Sequence, residues 1–140
     1  KFDDPLKVAV VGCFSVGKST VINALAGKIV CDTGFAPTTM QMNYVQYGVG
    51  MGVVLVDTMG VDAAGFEEHK DETFQEIDRA DVVMFVLKAT QPVTVHEQEV
   101  GEKLKDCSTP GIAVVTWWDQ LRKQKDQEEC SSRIHDFVRG

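Results

Sequence analysis

A phosphate-loop pattern, GxxxxGKS, is matched at every fixed position by Gly12-Cys-Phe-Ser-Val-Gly-Lys-Ser19. The apolar run Leu6–Val11 precedes this stretch, and a helix-forming run, residues 20–26, follows it. Glycines let the backbone wrap a phosphate, while amide groups and a helix N-terminus supply positive potential. A glycine-rich turn that binds nothing is disfavoured, because strand and helix flank the motif as phosphate binding requires. The stretch therefore predicts a phosphate-binding loop between a strand and a helix.

Two side chains of this loop have specific predicted roles. Lys18 is the lysine that reaches the terminal phosphates, and Ser19 supplies a hydroxyl ligand for Mg²⁺. The other positions of the motif and its first helical turn are predicted to contact the nucleotide as well. These positions are Gly12, Ser15, Val16, Gly17 and Thr20.

Composition limits the class of protein. With 140 residues, 44% of them hydrophobic and 25% charged, the chain is expected to be one domain, residues 1–140. A net charge of −7 argues against a nucleic-acid surface and a polybasic membrane patch. No apolar run approaches the roughly 20 residues that cross a bilayer. The four cysteines show no CxxC pairing, which favours free thiols and a cytoplasmic location.

Apolar strands alternate with amphipathic helices along the chain. Alternation of this kind predicts an α/β fold in which helices cover both faces of a mostly parallel sheet. One hairpin places an antiparallel strand at the sheet edge. Ligands of such sheets bind beyond the carboxyl ends of the strands. The predicted strands are residues 6–11, 42–47, 52–57, 82–87 and 112–119, and the predicted helices are residues 19–27, 65–79, 94–105 and 121–138.

A second motif, Asp57-Thr-Met-Gly60, follows a predicted strand. In the Asp-x-x-Gly pattern the aspartate holds Mg²⁺ and the glycine amide senses the γ-phosphate of GTP. Thr38 or Thr39 is the candidate hydroxyl that closes over Mg²⁺, the alternative being a simple Ser/Thr-rich loop. Many ATPases have Asp-Glu after this strand, so an ATP-using enzyme is the less favoured class.

These motifs together resemble the GTPase domain of dynamin-like large GTPases, especially bacterial and mitofusin-type members. The resemblance is carried by Phe14-Ser-Val-Gly-Lys-Ser-Thr20, residues 21–27, Gly34-Phe-Ala-Pro-Thr-Thr39 and Asp57-Thr-Met-Gly60, and it extends over residues 6–119. It implies a Ras-like P-loop fold and GTP hydrolysis coupled to membrane remodelling. It also implies nucleotide-dependent pairing of two domains, with membrane contact only through parts outside this chain.

The base-reading motif of that family is Asn/Thr-Lys-x-Asp, and the matching residues are Thr116, Trp117, Trp118 and Asp119. Asp119 can accept two hydrogen bonds from guanine, which adenine does not offer. Trp117 replaces the lysine that would lie along the base. Trp117 therefore stacks on the base, or base recognition is weak, or the tryptophans fill the end of the core. Lys88 is another departure, since relatives often carry an acidic or small residue there.

The predicted catalytic groups are Ser15, Lys18, Thr38 and Thr39. Val61 occupies the position of the glutamine that orients water in Ras-type enzymes, and valine cannot hydrogen-bond a water. The resemblance therefore implies that the phosphate loop participates, with a monovalent cation or a partner domain completing the site.

Three function classes follow from these residues, of which the ATP-using P-loop enzyme is the least favoured. The first is a GTPase of the dynamin-like or a neighbouring class, such as the Era-like or septin-like groups, that binds GTP or GDP with Mg²⁺, is slow alone and is stimulated by self-association. The alternative is a degenerate nucleotide-binding scaffold with weak or no hydrolysis. A full Ras-like domain would add a strand and a helix after residue 138, so a C-terminally truncated domain is expected.

Overall fold

A computed structural model describes residues 6–13, 17–27, 43–47, 53–58, 66–91 and 93–139. Strands and helices alternate in these residues, as predicted. A 3₁₀ turn, Trp118–Gln120, precedes the last helix. The strands and helices in chain order are β1 (Leu6–Val11), α1 (Lys18–Ala26), β2 (Asn43–Tyr47), β3 (Val53–Asp57), α2 (Phe66–Arg79), β4 (Val82–Lys88), α3 (Val95–Asp106), β5 (Gly111–Thr116) and α4 (Gln124–Arg139).

The described strands form one sheet in the order β2-β3-β1-β4-β5. Strand β2 runs antiparallel to β3, whereas the pairs β1–β3, β1–β4 and β4–β5 are parallel. The predicted sheet with one antiparallel edge strand is therefore confirmed. The connecting turn at 48–52 lies outside the described residues. Because Val10 is paired with Asp57 and Lys88 with Thr116, the carboxyl ends of the parallel strands lie along one edge.

Strand β1 lies at the centre of the core. Val10 and Val11 are fully buried, which explains why this segment is almost continuously apolar. Ile22 of α1, Ile77 of α2 and Val100 of α3 belong to the same buried cluster. The central strand is thus held by helices from several parts of the chain.

Two helices have capped termini. Gly27 ends α1 with φ 73°, a left-handed conformation that favours glycine, and its N–H donates to the Ala24 carbonyl. Thr94 and Glu97 form a capping box at the start of α3. The Thr94 Oγ1 accepts from the Glu97 N–H at 3.2 Å, and Glu97 Oε1 accepts from the Thr94 N–H at 2.8 Å.

The predicted strand 112–119 is wrong at its carboxyl end. Strand β5 ends at Thr116 because Trp117 adopts φ 60°, a left-handed conformation in which a strand cannot continue. Helix α4 begins at Gln124 rather than at residue 121, because Leu121 has φ −87° and ψ 88°, outside the helical region. Within the part of the chain that the structure describes, no helix is long and apolar enough to span a bilayer.

Candidate nucleotide-binding site

The predicted phosphate lysine lies at the start of α1. Gly17, immediately before it, has φ 87°, which glycine adopts without a steric penalty and which turns the chain into the helix. The Lys18 side chain is only 2% exposed, and its ammonium group donates to the backbone carbonyl of Thr58. This buried cation and the N-terminal amides of α1 concentrate positive potential at one point. Such a point suits an anionic ligand.

Thr58 connects the end of β3 to the central strand. Its backbone N–H donates to the Val10 carbonyl at 3.2 Å, and its Oγ1 donates to the same carbonyl at 2.8 Å. The Thr58 side chain is fully buried, so these bonds are shielded from water. They fix the residue that follows Asp57 beside β1. Thr58, the second residue of the Asp-x-x-Gly motif, is therefore held next to Lys18 at the start of α1.

The residues present fit a magnesium ion. Mg²⁺ prefers hard oxygen ligands and usually keeps several waters, so it needs few protein donors. Ser19, which is half-buried in the first turn of α1, and Asp57, at the end of β3, are such donors on adjoining elements. Among the described residues no group of three or more His, Cys, Asp or Glu could hold a metal.

Several predicted site residues lie outside the described residues: Ser15, Val16, Thr38, Thr39 and Gly60. Their roles stay predictions. Of the others, Gly12 is buried directly after β1, and Thr20 is exposed on α1.

The predicted base motif lies at the carboxyl end of β5. Asp119 is exposed within the 3₁₀ turn, and Gln120 Nε2 donates to its Oδ2 at 3.4 Å. Trp117 is 49% exposed and Trp118 is 38% exposed. Neither ring is enclosed by the core, so the interpretation of the tryptophans as core fillers is not supported. An exposed carboxylate beside an exposed indole is an arrangement that can contact a purine base.

Trp117 brings the base motif to the phosphate loop. A Cβ atom built on Gly17 would lie 3.9 Å from the indole Nε1 of Trp117. Lys88 ends the neighbouring strand β4, and its ammonium lies 4.9 Å from the centroid of the Trp117 ring, within the range of a cation–π interaction. Sequence reasoning noted Lys88 only as a departure and assigned it no role. The sequence signal that could have pointed to Lys88 is a lysine at the end of an otherwise apolar strand.

Hydrogen bonds fix the ends of β4 and β5 next to this indole. The Ala89 N–H donates to the Thr116 carbonyl at 2.9 Å, and Thr116 Oγ1 donates to the Leu87 carbonyl at 3.2 Å. Arg133 of α4 donates to the Ala89 carbonyl at 3.0 Å. The segments that carry Lys88 and Trp117 are thus tied to each other and to α4.

Cys13, directly after Gly12, packs against the start of α3. Its side chain is fully buried, and its Sγ lies 3.9 Å from Oγ1 of Thr94, the residue that caps α3. Cys13, Cys107 and Cys130 are free thiols, which agrees with the prediction for the cysteines that the structure describes. Cys13, two residues after the end of β1, therefore contacts the start of α3.

Known proteins are similar to this chain in sequence and in fold. A family model described as the 50S ribosome-binding GTPase matches residues 7–117. GTPase Der of Heliobacterium modesticaldum is 29% identical over 148 residues, covering 99% of this chain and 33% of Der. The probable chloroplastic transmembrane GTPase FZO-like of Arabidopsis thaliana is 26% identical over 164 residues, covering 99% of this chain and 18% of that protein.

A solved structure has the same architecture. Era of Aquifex aeolicus, in complex with GDP and AlF₄⁻, has a TM-score of 0.74 and 25% identity, covering 93% of this chain and 46% of the Era chain. The chain spans about a third or less of the length of the two curated relatives named above. The family model covers most of the chain, including the phosphate loop and the start of the base motif. The chain is therefore a GTP-binding GTPase domain and belongs to the family described as 50S ribosome-binding GTPases.

Proposed function

We propose that this domain binds GTP with Mg²⁺ at the carboxyl edge of its sheet and hydrolyses it to GDP and phosphate, slowly alone and faster when two copies pair. The observation that carries the proposal is the environment of Lys18. Lys18 is 2% exposed and lies at the N-terminus of a helix, and its ammonium is bonded to the carbonyl of Thr58, the residue after Asp57. Lys18, the predicted phosphate lysine, and Asp57, the predicted magnesium ligand, therefore lie on neighbouring elements.

Mg²⁺, when bound, would neutralise charge that develops on the phosphate oxygens. Ser19 and Asp57 would hold it, with Thr38 or Thr39 as a further hydroxyl donor. Lys18 would orient the terminal phosphates, and the backbone N–H groups of Gly17 and its neighbours would donate to the phosphate oxygens that face the loop. Asp119 would accept hydrogen bonds from the guanine edge. Each group thus has a distinct part of the nucleotide to recognise.

The attacking water must be oriented by a group other than Val61. Ser15 in the phosphate loop is the candidate, with a monovalent cation or a second copy of the domain completing the site. A site completed by a second copy predicts turnover per molecule that rises with protein concentration. Turnover that is independent of concentration, and unchanged in Ser15→Ala, would contradict this part of the proposal.

For the longer protein we favour a dynamin-like, membrane-remodelling role in which parts outside this chain contact the membrane and the domain faces the cytoplasm. The support is the motif resemblance together with the FZO-like relative, whose name describes a transmembrane GTPase. A ribosome-associated GTPase is the second candidate, favoured by the description of the family and by Der. The net charge of −7 disfavours direct RNA binding by this domain.

One titration tests the central proposal. The protein is titrated calorimetrically with GTP, GDP and ATP, each with Mg²⁺ and with excess chelator. Tighter binding of GTP and GDP than of ATP, weakened by the chelator, and release of phosphate from GTP are expected. Binding without phosphate release would favour the degenerate scaffold, and equal binding of ATP would favour the ATP-using class. Co-sedimentation of the longer protein with liposomes or with ribosomes separates the two cellular roles.

A further inference from the structure

A lysine and a tryptophan meet where the base of the nucleotide is expected. Lys88 ends β4 and Trp117 directly follows β5, and the two strands are paired up to Lys88 and Thr116. The Lys88 ammonium lies 4.9 Å from the centroid of the Trp117 ring. In the family pattern a lysine occupies position 117 itself. Here the cation comes from the neighbouring strand.

We propose that Lys88 is a positioning residue that replaces the missing base-motif lysine: it holds the Trp117 indole beside Gly17, so that the indole offers a stacking surface to the purine base. The proposal rests on the nucleotide binding proposed above and adds the source of its base affinity. Trp117 is the residue that touches the base, and Lys88 acts through Trp117.

The surroundings of the indole support this division of roles. One face of the ring is covered by the Lys88 ammonium, and the Nε1 edge lies next to Gly17 of the phosphate loop. The side chain nevertheless remains 49% exposed, which leaves apolar ring surface open to a ligand. Base–aromatic stacking tolerates every base, because every base has a π-face.

Affinity and selectivity are therefore carried by different residues. The stacking surface built by Lys88 and Trp117 would strengthen binding of any purine nucleotide. Asp119 alone would distinguish guanine, because a carboxylate accepts from the ring N–H and amino group that adenine lacks. The Ala89–Thr116 hydrogen bond joins the ends of both strands, so the backbone positions of Lys88 and Trp117 are held together without a ligand.

The test uses the full chain with Trp118→Phe, so that Trp117 is the single tryptophan. In this parent, Lys88→Met removes the charge and keeps the length of the stem, whereas Lys88→Arg keeps the charge. Lys125→Met is the matched control, since Lys125 lies on α4 with its side chain 83% exposed. Intrinsic fluorescence and dissociation constants are measured for GTP, for ATP and for inorganic tripolyphosphate, which probes the phosphate loop without a base.

GTP is expected to change the Trp117 fluorescence, and tripolyphosphate is not. Lys88→Met should weaken the binding of both GTP and ATP about three- to tenfold, as expected for the loss of a cation–π contact. Lys88→Arg and Lys125→Met should bind as the parent does, and tripolyphosphate affinity should not change in any variant.

Three results would overturn the inference while leaving the proposed function intact. The first is GTP binding without a change in fluorescence, and the second is an equal loss of GTP affinity in Lys88→Met and Lys88→Arg. The third is a loss of tripolyphosphate affinity as large as the loss of GTP affinity. If Lys88→Met lowers the melting temperature, its tripolyphosphate affinity decides the question: weaker GTP binding with unchanged tripolyphosphate binding supports the role of Lys88, and a parallel loss of both overturns it. A parent that binds no GTP at all overturns the proposed function together with this inference.

Discussion

The ammonium group of Lys18 and the backbone carbonyl of Thr58 are joined by a hydrogen bond, which connects the first residue of α1 to the residue after β3. Thr58 is in turn bonded to Val10 of the central strand through both its N–H and its Oγ1. The position of the phosphate lysine therefore depends on a chain of contacts through two neighbouring strands. Changes in that chain should affect nucleotide binding and stability to different extents.

Lys18→Ala should abolish nucleotide binding. The substitution removes the buried cation that faces the phosphates, and hydrogen bonds to charged groups are strong enough to cost on the order of 100-fold in affinity. Calorimetric titration with GTP and Mg²⁺ measures the loss, and thermal unfolding checks that the variant is folded. Lys125→Ala, at an exposed position on α4, is the control. Retained GTP binding by folded Lys18→Ala would contradict the role of Lys18.

Thr58→Val should lower the free energy of unfolding by about 1 kcal/mol, the typical net contribution of one hydrogen bond. The substitution keeps the shape of the buried side chain and deletes only its Oγ1 bond to Val10. Urea unfolding measures the change. Because Thr58 supports Lys18, GTP affinity should fall as well.

Thr109→Val is a matched control for Thr58→Val. Thr109 Oγ1 donates to the Ile77 carbonyl at 3.1 Å, a similar bond that lies away from the phosphate loop. We expect Thr109→Val to reduce stability without reducing GTP affinity. Equal effects of both substitutions on GTP affinity would show that Thr58 acts only through overall stability.

Asp119→Asn should reduce the preference for guanine. An aspartate accepts two hydrogen bonds from the guanine edge. The neutral amide of asparagine accepts more weakly, and its NH₂ group would face an N–H group of guanine, so that one hydrogen bond is lost. The affinity for GTP should fall on the order of 10-fold to 100-fold, and the affinity for ATP should change little. Competition binding measures both nucleotides, and exposed Asp126→Asn on α4 is the control. An equal loss for ATP and GTP would exclude a role for Asp119 in base selection.

Thr94→Ala should destabilise the protein by about 1 kcal/mol, because the capping box at the start of α3 loses its side-chain acceptor. The melting temperature should fall accordingly. Thr90→Ala, at an exposed position of the preceding loop, is the control. Since Cys13 packs 3.9 Å from the Thr94 hydroxyl, a decrease in GTP affinity beyond that of the control would show that the cap also supports the phosphate loop.

Local patterns in the chain were sufficient to predict most of the fold. The apolar run of β1, the GxxxxGKS motif, the hairpin strands and the capping box of α3 each depend on residues close together in the chain. Strand burial, glycine conformation and helix capping are local or nearly local effects, so short patterns report them. Lys18 and Asp119 could be selected for the same reason, because their motifs have fixed spacing.

Three features were decided only by tertiary packing. Strand β5 ends at Thr116 rather than at residue 119, because Trp117 takes a left-handed conformation beside Gly17 and Lys88. The bond from Lys18 to Thr58 joins elements that are distant in the chain. The contact between Lys88 and Trp117 likewise exists only because β4 and β5 are neighbours in the sheet. No local pattern encodes which strand ends meet, since strand order is set by how the helices cover the whole sheet.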